Sequence, residues 1–94
     1  MKIPVFLYFM NQYRDLLQMS LTENIEFFCE SVSASSKMEL LNEVELILYN
    51  LKLEDWEMDK SVMLLCNKYS KRTIIDIIQN IQRDLAEFKG EEND

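Results

Sequence analysis

Proline occurs once in this chain, at position 4, and glycine once, at position 90. Average usage is roughly 5% and 7%. Hairpins and Gly-rich loops need residues that accept positive φ. A chain with almost none is confined to helices joined by short polar links. The 94 residues are enough to close one core, and the 48% hydrophobic share is that of a folded chain. The expected fold is therefore all-α: a compact bundle of four to five amphipathic helices. Residues 1–89 form a single helical domain on this reading, and 90–94, "GEEND", an acidic disordered tail.

Helical period runs through most of the chain. Pro4 suits a first turn, and Phe6, Met10, Tyr13 and Leu17, widened by Phe9 and Leu16, predict a helix from Pro4 to Gln18. Val5, Leu7 and Tyr8 leave little polar face at its start. That end is expected either in the core centre or in a homodimer contact. Ser20 with Glu23 matches a capping box, with Thr22 as a competing cap, and Ile25, Phe28, Cys29 and Val32 form the next stripe. "SASS" then breaks the chain. Ser36 with Glu39 predicts the start of a third helix, with Leu40, Val44, Ile47, Leu48 and Leu51 on one face. Met58, Val62, Leu65, Cys66 and Tyr69 fit a fourth, with Asp55 as cap. Ser70 is the expected cap of the last helix, whose stripe is Ile74, Ile77, Ile78, Ile81, Leu85 and Phe88. Lys89 falls in its last turn and Gly90 just past it, as a stop. The pattern leaves open whether these two helices are separate or one bent rod. Phe27, Phe28, Tyr49 and the isoleucines are assigned to the core.

Catalytic and metal chemistry is excluded mainly by what is missing. The chain has no His. Every Ser-His, Cys-His and His-metal arrangement is therefore ruled out, with the commonest general base. One Gly removes P-loops, dinucleotide turns and nucleophile elbows. Cys29 and Cys66 cannot supply four zinc ligands and are expected as buried free thiols. Asp55, Glu57 and Asp59 alternate as a calcium loop would begin. Lys60 then stands where that turn needs Gly, and Cys66 where it needs a bidentate Glu. Glu23, Glu26 and Glu30 share a helix side, but nothing near them predicts the burial that acid–base work requires. No enzyme activity and no cofactor are expected.

Charge is the informative property. The net charge is −7, which disfavours nucleic acid and anionic membrane, since both bind through Lys and Arg. From Glu23 to Asp59 the acids outnumber Lys37 and Lys52 to give −8, whereas Lys60 to Lys89 carries +3. One reading is internal, with acidic helices paired to a basic last helix by surface ion pairs. The other is a preformed acidic surface that steers a cationic protein to itself. The apolar N-terminal run is too short for a membrane span and lacks a cleavage site, so a cytoplasmic protein is expected.

The leading functional expectation is a non-enzymatic inhibitor or regulator of a basic protein partner. Bacterial immunity proteins and antitoxins are the type, their target a nuclease-type toxin with a cationic active site. Glu54, Asp55, Trp56, Glu57 and Asp59 would form the centre of the binding surface, with Glu39 and Glu43 as flanks. Trp is a favoured interface anchor. The alternatives are a self-associating regulatory or scaffold bundle sealed by the first helix, and a helical secretion chaperone or adaptor offering an apolar groove.

Overall fold

A computed structural model describes residues 2–52, 60 and 67–92. Among these the chain is all-helical: α1 (Pro4–Asp15), α2 (Leu21–Ser31), α3 (Ala34–Lys52) and α4 (Lys71–Glu92). The helix expected around Met58 to Tyr69 falls mostly on residues 53–59 and 61–66, outside the described residues. Residues 67–70 form a turn, so α4 begins anew at Lys71.

Each described helix packs on two others, α1 and α4 both lying against α2 and α3. One core results. Phe6, Phe9, Ile25, Phe28, Leu40, Val44, Ile47, Ile74, Ile78, Ile81 and Leu85 are all buried in it. At about 1.5–3 kcal/mol for each large apolar side chain buried, this cluster is the main source of stability. Phe9 and Phe28 meet edge to face, with centroids 5.7 Å apart, a geometry that aligns ring edge with ring face. The shortest dimension of the molecule is 19 Å, about two helix layers at the usual 8–10 Å between axes.

The helix starts show how far local sequence governs this fold. Ser20 caps α2 as expected: its hydroxyl accepts from the Glu23 N–H at 3.1 Å, and the Glu23 carboxylate accepts from the Ser20 N–H at 3.0 Å. These bonds hold the Glu23 carboxyl below its ordinary pKa. Ser70 caps α4, accepting from the Thr73 N–H at 3.2 Å. The third helix differs from expectation. It starts at Ala34, and the hydroxyl of Ser33 accepts from the Ser36 N–H at 3.3 Å. Ser33 and Ser36 both offer a capping oxygen, and the earlier one adds most of a turn to the helix.

Two helix ends also move. α1 stops at Asp15 rather than Gln18, which leaves Leu17 67% exposed instead of in the core. Beside this end sits Asn24 of α2, the one buried polar side chain among the described residues. Its side-chain amide donates to the carbonyls of Leu16, Met19 and Ser20 at 3.0–3.3 Å. Gln12 in turn donates to the Asn24 carbonyl and side-chain oxygen, at 2.8 and 3.2 Å. The bonds bend the chain between α1 and α2 where hydropathy alone would extend the helix. At the other end, α4 runs through Gly90 to Glu92. Gly90 is therefore not a stop, and residues 90–92 of the expected tail are helical. A mid-helix glycine costs only about 1 kcal/mol against alanine.

Candidate functional site

The first turn of α1 is where a predicted site residue acquires a definite role. Its N-cap, Ile3, has no side-chain oxygen to offer. A helix leaves its first amides without internal partners. Pro4 has no N–H, and Leu7 already donates to the Ile3 carbonyl at 3.0 Å. Val5 and Phe6 remain. Glu43 of α3 takes both, Oε1 accepting from Phe6 at 2.9 Å and Oε2 from Val5 at 3.3 Å. A carboxylate from another helix thus supplies the missing cap and places negative charge at the positive end of the α1 dipole. Burial pushes the Glu43 carboxyl above its ordinary pKa. The Phe6 and Val5 bonds pull it down, and the charge of Glu39 one turn away pushes it up again.

Glu39 itself is exposed. Between them, Glu39 and Glu43 set two carboxylates along one side of α3 beside the start of α1. Glu54, Asp55, Trp56, Glu57 and Asp59 lie outside the described residues, so of the seven predicted binding residues only these two are located.

Surface features that sequence reading placed elsewhere are aromatic. Phe27 is 45% exposed on the outer face of α2, and Tyr49 of α3 is exposed too, where the sequence predicts core for both. The stripe of α2 explains the first. Ile25, Phe28 and Cys29 fill its inner face, and Phe27 falls on the opposite side with Glu23, Glu26 and Glu30, all exposed. The helical spacing of those three acids around position 27 was the available signal. α2 contains no Lys or Arg, so this face presents one aromatic ring among carboxylates. Cys29, beneath it, is a buried free thiol whose pKa burial pushes up, as an inert core cysteine requires.

A second feature lies where α1 meets the end of α2 and the start of α3. Pro4, Val5, Tyr8, Phe28, Val32 and Ser36 line an open groove of about 260 Å³. Tyr8 stands at its edge, 59% exposed, its ring centroid 6.2 Å from that of Phe28. Among the described residues no three His, Cys, Asp or Glu side chains gather as a metal site would need, and no helix is long and apolar enough to cross a membrane. The ion pairs Arg14–Asp15 and Arg83–Asp84 each join sequence neighbours on the surface. Set against family models, curated proteins and solved structures, the chain matches none.

Proposed function

We propose that this chain is a non-enzymatic acidic helical bundle that binds, and neutralises or regulates, a basic protein partner in the manner of an immunity protein or antitoxin. The observation that carries the reading is the outer face of α2, where Phe27 is 45% exposed among the exposed carboxylates of Glu23, Glu26 and Glu30. Charges of one sign raise the encounter rate with an opposite partner. A ring in their midst supplies the apolar contact that charge alone lacks, since aromatic anchors carry much of the binding energy of interfaces. The stretch from Glu54 to Asp59, with Trp56 among four acids, repeats the same composition.

Self-association through α1 is the second reading, favoured by the exposed Tyr8 beside an apolar groove. Its drawback is the net charge of −7 on each copy, which sets like charges against one another.

Capture from the native host tests the first reading. Three baits are compared: the wild-type chain, Glu26→Lys with Glu30→Lys, and a reversal of Asp55, Glu57 and Asp59 to Lys. Glu23 is left in place because it belongs to the α2 cap. The wild type is expected to retain a protein of net positive charge, and at least one reversed bait to retain tenfold less of it. Retention of an acidic protein, or equal retention by all three folded baits, overturns the reading.

A further inference from the structure

The groove between α1, α2 and α3 is separate from the acidic face of α2. Phe28 and Val32 line it from the inner side of the helix, whereas Phe27 points outward. Its volume, about 260 Å³, is below the roughly 300–1,000 Å³ of small-molecule sites. It suits one or two side chains rather than a cofactor. Five of its six lining residues are apolar or aromatic, and Ser36 is the polar exception.

The rim decides which side chains. Ser36 is followed along the same side of α3 by Glu39 and Glu43. Glu43 is tied to the backbone of Val5, itself a lining residue. Glu39 is exposed and lies one turn from each of the others. Beyond the apolar floor, α3 thus carries the exposed carboxylate of Glu39 one turn from Ser36, and that of Glu43 bonded to the Val5 and Phe6 amides. Lys2 and Lys37 are the cations nearest in sequence to the lining residues. Lys37 is half-buried, and Lys2 is exposed two residues before Pro4.

We propose that this groove is the anchor pocket for a basic amphipathic segment of a partner protein, which inserts an aromatic or branched aliphatic side chain over Phe28 and Val32 and sets a Lys or Arg beside Glu39. The inference rests on the basic-partner reading above and adds where and how the partner is gripped. An apolar anchor is worth most in a pocket that excludes water, and a charge pair at the rim sets orientation and choice of partner more than affinity. A second copy of this chain would bring further acids to the same rim, and like charges at close range are unfavourable.

The test is a nuclear magnetic resonance titration of the full chain with two synthetic 14-residue amphipathic helical peptides. They share one apolar face of Leu and a single Phe. One carries Lys at every polar position and the other Glu. The Lys peptide is expected to give saturable shifts concentrated at Val5, Tyr8, Phe28, Val32 and Ser36, with the Glu peptide binding at least tenfold more weakly. Ser36→Trp, which fills the groove from its polar edge, is expected to cut Lys-peptide affinity tenfold or more. Glu39→Gln, which alters only a surface charge, is expected to weaken it about threefold. Equal binding of both peptides, or binding of neither, overturns the proposal. Lys-peptide shifts confined to the face of Glu26, Phe27 and Glu30 overturn the groove but leave the basic-partner reading standing. Groove shifts that grow with protein concentration in the absence of peptide overturn it in favour of self-association.

Discussion

Glu43 is the residue at which sequence and structure give different jobs to the same carboxylate. Its i, i+4 spacing from Glu39 reads as a flank of an acidic surface. In the fold it is the cap of α1, bonded to Val5 and Phe6. Nothing in the first helix announces this, because the partner lies 37 and 38 positions away. Loss of a side-chain cap costs about 0.5–2 kcal/mol, and Glu43→Ala is expected to lower stability in urea by that amount with the m-value unchanged. Glu43→Gln keeps an acceptor oxygen and is expected to lose less. The pH dependence has a definite sign. Burial raises the folded-state pKa above the unfolded one, so the folded state holds the proton more tightly. Unfolding then becomes easier as pH rises through the interval between the two values. Stability of the wild type relative to Glu43→Gln should therefore be greatest in acid and fall through that interval. A difference that stays flat with pH would mean the carboxyl is not desolvated in solution.

Elements were legible where one helix face carried the whole decision. The stripe Ile74, Ile77, Ile78, Ile81, Leu85 became the buried face of α4, and Ile25, Phe28, Cys29 that of α2. Local caps at Ser20 and Ser70 were legible for the same reason: donor and acceptor lie within one turn. What hydropathy could not rank were residues whose neighbours come from another helix. Leu17 fits the α1 stripe and is left exposed, while Asn24 is polar and wholly buried. The acidic face of α2 is visible in sequence as three spaced glutamates, but Phe27 beside them reads as core because aromatic residues usually are buried. Leu17→Ser is expected to change stability by no more than about 0.5 kcal/mol, as exposed positions do. Asn24→Ala strips a donor from the part-buried carbonyls of Leu16 and Met19 at the α1–α2 turn and is expected to cost roughly 1–3 kcal/mol. Thermal unfolding of the two variants side by side checks the pair. A larger loss for Leu17→Ser would mean that α1 continues past Asp15.

At the scale of the whole molecule, the sparing use of Gly and Pro and the excess of acid act together. The first confines the chain to helices around one core. The second is concentrated on α2, whose exposed face carries Glu23, Glu26 and Glu30 and no Lys or Arg. The groove at the start of α1 and the carboxylate of Glu39 on α3 lie on the same small body, so the proposed partner would meet both apolar grip and charge. Long-range charge acts on the rate of encounter more than on the lifetime of the complex. Salt therefore separates a steering surface from a merely solubilising one. The Debye length shrinks from about 30 Å at 0.01 M salt to about 3 Å at 1 M. The decisive measurement is the association rate constant of the chain with its captured partner across that range. The acidic-surface reading predicts a fall of tenfold or more as salt rises, with a much smaller change in dissociation. An association rate that is the same in low and high salt would contradict it.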